Sequence, residues 1–329
     1  MRKISLLLIF LLVPLLWAVP AHAYKFKQSS FTGNSTTQSI TGVGFQPEFV
    51  VVQCGALSMW TCAALGANVT LFWSSSGASV ATCITSLDSD GFSVGQGSSG
   101  RCNTNLATCH YVAVASDAKN DFSQQTYTTG ASPVDNRALT TSPSFQPALA
   151  IIRCKGCTTT VSVFHTTAMG NATDTPASTT TSVNAANIIQ QLTSTGVEVG
   201  TATSVQTANE TFALVTFKSV ANSMATGLFS GDGLDNKNVT LSSAGTPAWI
   251  LLKGTSATAK TCQRYGTETG DNAFEENVGE GADRIQSLGL NTMQVGIDTC
   301  ANETGTNNMQ WFSVRTPVYS APGAAMFLN

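Results

Sequence analysis

The chain repeats itself at an interval of about one hundred residues, and this repetition constrains its fold more than any other feature. Pro47, Pro147 and Pro247 lie 100 residues apart. They open the short apolar segments GFQPEFVVVQ, SFQPALAIIR and GTPAWILLK, of which the first two share the string FQP. The sequence therefore predicts three similar units in one chain.

Three further features recur in the same order around each proline. Upstream lies an aromatic residue followed closely by glycine, in the pairs Phe31 with Gly33, Tyr127 with Gly130, and Phe229 with Gly231. Downstream come the turn-and-strand signatures DGFSVG, TGVEVG and NTMQVG, and then the closing strands HYVAVAS, TFALVTFKS and MQWFSVRT. These boundaries predict domains at 24–120, 121–222 and 223–329, each near the common size of an independent domain.

Within each unit the segments are short, rich in Val, Ile, Thr, Phe and Tyr, and separated by turn residues. That pattern predicts an all-β fold of three tandem antiparallel β-sandwich repeats. Continuous apolar runs such as FVVVQ indicate strands buried on both faces. The best helix candidate is SVNAANIIQQLTS around Ala186, where a strand competes. Equal unit lengths and short linkers suggest the hypothesis that the units pack around a pseudo-threefold axis.

The first 23 residues have the features of a secretory signal peptide. A basic pair, Arg2 and Lys3, precedes an apolar run, and Ala21-His22-Ala23 forms a cleavage site before Tyr24. The alternative is a membrane anchor, against which the short run and its Pro14 argue. The prediction is a secreted, extracellular or cell-surface protein, with the periplasm as the alternative compartment and no membrane span in the mature chain.

The charge balance excludes one large class of function. Charged residues make up 11% of the chain, and 16 Lys and Arg face 19 Asp and Glu, for a formal charge of −3. A protein that binds nucleic acid by neutralising phosphates needs a basic surface, so no nucleic-acid partner is expected.

Nine cysteines follow the signal segment, and in an oxidising compartment disulfides are the default. The sequence leaves the connectivity open, and an odd number leaves one thiol over. The preferred pairing joins cysteines near one another in the chain, namely Cys54–Cys62, Cys154–Cys157, Cys262–Cys300 and Cys102–Cys109. Cys83 is then the unpaired residue. A zinc site built from Cys54, Cys62, Cys154 and Cys157 is a less favoured alternative, so no metal is predicted.

Two groups of proteins show a similar pattern. The first unit contains FTGNSTTQSITGVGFQPEFVVVQ, then DSDGFSVG, then CHYVAVAS. This arrangement resembles the H-type lectin-like domain, a six-stranded antiparallel sandwich that forms trimers. It also resembles the repeated β-sandwich domains of phage tail and fibre proteins and bacterial secreted proteins. The resemblance covers all three units and implies a fold; through the lectins it also implies sugar binding. None of the lectins' sugar contacts carries over to a residue here.

Few side chains suit catalysis. Only His110 and His165 follow the signal segment, no G-x-S-x-G motif is present, and the acidic residues cluster in turns. The sequence GDGLDNK, 231–237, has the oxygen ligands of a Ca²⁺ loop without its spacing, and is interpreted as a hairpin turn. The protein is therefore predicted to be no enzyme and to need no cofactor.

The favoured binding residues are Trp73, His165 and Tyr265, which the alignment of the units places at one repeated position. Side chains of this kind could stack on a sugar face, but a half-buried core or edge position is the preferred interpretation of this repeated position. The leading hypothesis is a lectin-like or adhesive protein that binds surface glycans, or another surface polymer, multivalently. The alternative is a structural subunit of an extracellular surface layer, fibre or phage-like appendage, with self-association.

Overall fold

A computed structural model describes residues 24–73, 77–96, 101–117, 121–170, 187–221, 223–242, 245–254 and 261–315, except the side chains of 306–308. The predicted signal peptide lies outside these residues. The described chain is nearly all β, with several antiparallel sheets, so the predicted all-β, sandwich-like fold is confirmed.

The strands fall into three successive segments. The first segment contains β1 (Tyr24–Thr32), β2 (Gln38–Ile40), β3 (Phe49–Gln53), β4 (Ser58–Cys62), β5 (Leu71–Phe72), β6 (Ile84–Asp88), β7 (Gly91–Val94) and β8 (Thr108–Ser116). The second contains β9 (Phe122–Thr128), β10 (Arg137–Thr140), β11 (Pro147–Cys154), β12 (Val163–Thr166), β13 (Ile189–Thr193), β14 (Gly196–Val199) and β15 (Thr211–Lys218).

The third segment adds two short strands and one helical turn. It contains β16 (Met224–Gly231), β17 (Lys237–Thr240), β18 (Pro247–Gly254), β19 (Thr261–Tyr265), β20 (Ala273–Glu275), β21 (Gly279–Gly281), β22 (Ile285–Gly289), β23 (Thr292–Val295), α1 (Thr299–Asn302) and β24 (Gly305–Arg315).

Strand pairing follows one order in all three segments. In the larger sheet the last strand of the segment lies between the first and the third, and the fourth pairs with the third: β1-β8-β3-β4, β9-β15-β11-β12 and β16-β24-β18-β19. A three-stranded sheet faces it in each case: β2-β7-β6, β10-β14-β13 and β17-β23-β22. The division into domains at 120 and 222 stays a prediction, which this recurrence supports.

The described residues form four apolar clusters, and their membership explains the architecture. Three clusters each draw on one segment and fill the space between its two sheets. The fourth draws on all three segments and lies between their larger sheets. The continuous apolar run in β3 serves both clusters, because successive side chains of a strand point to opposite faces. Phe49 and Val51 enter the shared cluster, while Val50 and Val52 enter the cluster of the first segment.

Matching contacts link each segment to the next and close a ring. In the first of these contacts, the backbone N–H of Ala64, in the turn after β4, donates to Gln124 Oε1 on β9 at 2.6 Å. The hydroxyl of Thr167, after β12, lies 3.1 Å from that of Thr226 on β16. Gln28 Nε2 on β1 then donates to the hydroxyl of Thr267, after β19, at 2.6 Å. Head-to-tail contacts that return to the first unit are what a pseudo-threefold arrangement requires, so these contacts support that hypothesis, which stays a prediction.

The register of β3 against β8 decides one disulfide. Gln53 lies opposite His110, which brings the next residue, Cys54, beside Cys109, and the two form a disulfide. The predicted Cys54–Cys62 and Cys102–Cys109 bridges are therefore wrong, because strand pairing brings residues distant in sequence closer than loop neighbours.

The remaining cysteines divide into predicted and corrected pairs. Cys154–Cys157 and Cys262–Cys300 are disulfides, as predicted. Cys83 bonds to Cys102, so the prediction that it is unpaired is wrong. The free thiol is Cys62, which is buried in the shared cluster, where burial raises its pKa to about 12. Four disulfides indicate that the chain folds in an oxidising environment.

Two smaller expectations are also resolved. The helix candidate around Ala186 is a strand where the chain is described, since Ile189–Thr193 forms β13 and 171–186 lie outside the described residues. Among the described residues, no helix is long and apolar enough to cross a membrane.

Candidate functional site: two matching clefts

Trp73, His165 and Tyr265 do not form the exposed binding surface that the sequence analysis predicted. All three side chains are fully buried. Trp73 and Tyr265 belong to the shared apolar cluster, and His165 Nε2 donates to the carbonyl of Gly170 at 3.0 Å. A glycan cannot stack on side chains that water does not reach, so the structural interpretation fits them better.

The three residues are not equivalent in the fold either. The strand pairings place His165 opposite Ala150 and Tyr265 opposite Trp249, one position apart in the common register. Trp73 follows β5, a strand with no counterpart in the second segment. The alignment failed because the loops before the fourth strand differ in length between segments. The residues that truly match are Thr61, His165 and Arg264.

This corrected alignment reveals two clefts in matching places. Cleft 1 has a volume of about 570 Å³ and lies in the first segment between the opening of β3, the end of β4, and β6. Cleft 3 has a volume of about 300 Å³ and lies in the third between the opening of β18, the end of β19, and β22. Seven wall positions are shared, namely Gln46/Thr246, Pro47/Pro247, Thr61/Arg264, Ala63/Gly266, Thr85/Gln286, Ser86/Ser287 and Leu87/Leu288.

Cleft 1 is lined mainly by small and hydroxyl-bearing side chains. Lys25 is exposed at its edge, and Glu48 lies beside it. The Glu48 carboxylate accepts hydrogen bonds from the backbone N–H of Ser116, at 3.2 Å, and from its hydroxyl. Gln46 Nε2 donates to the carbonyl of Leu87 at 3.0 Å and bridges the two sheets across the opening. The wall of cleft 1 thus contains both hydrogen-bond donors and hydrogen-bond acceptors.

Cleft 3 is smaller and, like cleft 1, has one basic and one acidic residue in its wall. The guanidinium of Arg264 donates to the backbone carbonyls of Ile285 and Gly270, both at 2.8 Å, and to that of Asn272. Glu268 closes the turn after β19, because its Oε1 accepts from the backbone N–H of Tyr265 at 3.1 Å. Gln286 Nε2 donates to Asp235 Oδ1 at 2.7 Å. These contacts hold the side chains of Arg264, Glu268 and Gln286 in place.

Glu268 and Gln286 each keep one oxygen without a partner. Both residues are only 8% exposed, and neither Glu268 Oε2 nor Gln286 Oε1 has a hydrogen bond. Burial raises the pKa of Glu268 to about 8. The carboxyl therefore stays largely protonated near neutral pH.

The second segment has the same framework at this place. Gln146 Nε2 donates to the carbonyl of Leu192 at 3.2 Å, as Gln46 does to Leu87. Gln190 matches Gln286 and likewise donates to an aspartate, Asp135, at 3.0 Å. Residues 171–186, next to it in the chain, lie outside the described residues.

Sequence reasoning missed Glu268 and Gln286 because the units were aligned by motif rather than by strand register. The sequence signal that could have identified Glu268 is the identity of the residue three positions after the fourth strand of each segment. It is Leu65 in the first segment, Met169 in the second and Glu268 in the third. A carboxyl at a position that carries an apolar side chain in the other two segments departs from the repeat pattern, and such departures are expected at functional or strained sites.

The described residues contain two groups of metal-ligand atoms, and both include disulfide sulfurs. One joins Cys154 and Cys157 to Glu210, and the other joins Cys300 to Glu275 and Asp298. A sulfur in a disulfide is no thiolate ligand. Since Cys54 and Cys154 are also bridged, the zinc alternative is wrong.

The GDGLDNK segment contains a turn, but it is not the hairpin turn that the sequence analysis predicted, because the strands that it connects lie in different sheets. It runs from the end of β16 to the start of β17. Lys237 Nζ lies 2.6 Å from Asp232 Oδ2, and this hydrogen bond is the main reason that the pKa of Asp232 falls to about 2. The lysine thus takes the place that a cation would need.

Together, these observations define a disulfide-bonded, all-β protein in which three sheet pairs share a central core. Residues 22–280 match the family model described as Domain of unknown function (DUF7483), and the chain belongs to that family. Searches of the curated proteins and of the solved structures found no match.

Proposed function

We propose that this is a secreted, non-catalytic, lectin-like protein that binds surface glycans through its matching clefts. The observation that carries the proposal is the recurrence of one cleft, with polar and apolar groups in its wall, at the same place in two segments. Several shallow sites on one rigid body raise avidity although each site binds weakly. The resemblance to lectin-like trimers and the ring of segment contacts support the same arrangement.

The test is glycan binding by the disulfide-intact protein and by variants with blocked clefts. Ser86→Arg and Ser287→Arg place a long charged side chain at matching wall positions of clefts 1 and 3. Each variant should lower avidity about tenfold or more, and the double variant should bind weakest. Ser89→Arg, at an exposed turn outside both clefts, is the control. Unchanged avidity in the folded double variant contradicts the proposal.

A structural subunit of an extracellular assembly is the second candidate, and the apolar loop residues favour it. Leu106, Val134 and Leu234 are 82%, 59% and 65% exposed. Val134 and Leu234 each lie three residues before the second strand of their segment. In the first segment, the N–H of Leu106 donates to the carbonyl of Gly33, which lies in the connection between β1 and β2. Light scattering tests this function by measuring the mass of the protein over a range of concentrations. Self-association supports it if a triple variant no longer associates, the changes being Leu106→Ser, Val134→Ser and Leu234→Ser. A monomer at all concentrations contradicts it.

A further inference from the structure

The wall of cleft 1 contains one cation, Lys25, whose side chain is exposed. Its neighbours Tyr24 and Phe26 enter the shared apolar cluster. Because successive side chains of a strand point to opposite faces, Lys25 points to the other face of the sheet, which the three-stranded sheet covers and where cleft 1 opens. An accessible ammonium group is therefore directed towards the cleft.

The second segment shows how a charge at this place is balanced when an opposite charge lies beside it. Strand register matches Lys25 with Asp121. Its cross-strand neighbour, Ala115, corresponds to Lys218. Lys218 Nζ lies 2.9 Å from Asp121 Oδ1, so the two side chains form an ion pair. In the first segment Ala115 carries no charge, and none of the ion pairs within the described residues involves Lys25.

Glu48 is the other charged residue of the wall, and hydrogen-bond donors already surround part of it. Its two side-chain hydrogen bonds within the described part of the chain both end on Oε1, which accepts from the backbone N–H and the hydroxyl of Ser116. Glu48 precedes β3, and β8 runs between β3 and β1, so its backbone lies two strand spacings, about 10 Å, from that of Lys25. The uncompensated charge of the cleft is therefore positive and favours an anion.

The remainder of the wall suits a sugar ring. Ala63, Ala67 and Leu87 are at least partly exposed and provide apolar surface for the C–H groups of a ring. The hydroxyl of Ser86 and Oε2 of Glu48 provide polar contacts for its hydroxyl groups. The volume of about 570 Å³ lies within the usual range of small-molecule sites.

We propose that cleft 1 binds an acidic sugar residue, whose carboxylate pairs with Lys25 while a ring hydroxyl donates to Glu48 Oε2. This inference rests on the proposed glycan binding and assigns the ligand class of one cleft. Strand register places Ser223 at the position of Lys25 in the third segment, so cleft 3 binds through other groups.

The experiment is titration calorimetry with saccharides that differ in charge. The probes are trigalacturonate, its uncharged methyl ester, and a glucosamine trimer as the cationic arm. The protein is the disulfide-intact chain with Ser287→Glu, which blocks cleft 3 without adding a cation. Trigalacturonate should bind at least about tenfold more tightly than its ester, because only the acid forms a charge-assisted hydrogen bond with the ammonium group.

Variants of Lys25 identify the contact. Lys25→Gln should weaken trigalacturonate binding about tenfold and leave the ester unaffected, whereas Lys25→Arg should retain most of the affinity. Lys27→Gln is the matched control, because Lys27 is exposed on the same face of β1 and lies outside the cleft wall. Raising salt from about 0.1 M to about 1 M should weaken binding by the parent and change that of Lys25→Gln much less. Thermal unfolding verifies that each variant folds.

The inference is overturned if trigalacturonate does not bind, or binds no more tightly than the ester or the glucosamine trimer. It is also overturned if folded Lys25→Gln binds the acid as well as the parent does, or if Lys27→Gln loses as much affinity. The proposed function survives these results when another saccharide binds and Ser86→Arg abolishes that binding. If the protein with both clefts open binds no saccharide, the proposed function and this inference fail together.

Discussion

At the scale of single residues, burial decides what the two histidines do. His110 and His165 are 6% and 0% exposed, and burial lowers the pKa of each to about 4. His110 stacks on Tyr265 at a centroid distance of 5.6 Å, and its Nδ1 lies 2.8 Å from the hydroxyl of Thr267. In this setting both rings are neutral structural groups at physiological pH.

This burial predicts loss of stability in acid. The pKa of each histidine is lowered from 6.5 to about 4, so the unfolded chain binds protons that the folded chain does not. The stabilisation is present above pH 6.5 and disappears as pH falls towards 4, by up to about 3 kcal/mol per histidine. Denaturant unfolding at pH 7 and 4.5 measures it. The loss between these pH values should be smaller in His165→Gln, and an equal loss would contradict the assignment.

One glycine is required where two sheet strands approach closely. Gly91 has a φ of +153°, and a Cβ there would collide with the carbonyl oxygen of Ile40. Gly91→Ala should lower the free energy of unfolding by about 2 kcal/mol or more. Thr292 occupies the matching place in the third segment, so Thr292→Ala is the control and should change stability much less. Comparable losses in both variants would contradict the argument.

At the scale of elements, the disulfides differ in the length of chain that they enclose. Cys54–Cys109 spans 55 residues and ties β3 to β8, whereas Cys154–Cys157 spans three residues after β11. Cross-links stabilise more when they close longer loops. The Cys54→Ala/Cys109→Ala variant should therefore lose about 4 kcal/mol and the Cys154→Ala/Cys157→Ala variant about 2 kcal/mol.

Chemical denaturation of the two double variants measures that difference. Mapping of unreduced peptides provides the direct control, and it should yield a Cys54–Cys109 peptide with a free Cys62 thiol. A Cys54–Cys62 peptide would contradict the strand register on which the argument rests.

At the scale of the whole molecule, the shared cluster and the ring contacts make the three segments one body. A single compact body formed by the chain from Tyr24 should have a radius of gyration of about 19 Å. Small-angle scattering measures this value. A clearly elongated profile, as expected from three beads in a row, would contradict the closed ring.

Much of the fold was accessible from the sequence because it depends on contiguous residues. The alternation of apolar and polar residues and the content of β-branched residues predicted strands, and the recurring prolines predicted three similar units. The strands that align well include β3 and β11: β11 begins at the proline of its FQP string, and β3 begins two residues after the proline of the same string. The candidate site was harder to predict, because loops of unequal length hid the match of Thr61 with His165 and Arg264.

The sequence by itself determined the all-β class, the recurrence of similar strand segments along the chain, and the presence of disulfides. Only the tertiary structure decided that Cys54 bonds to Cys109, that Trp73 is buried, and that Glu268 and Gln286 line one cleft. The physical reason is that strand propensity is local. Register and burial instead arise from contacts between strands far apart in the chain, which form when the three segments pack together.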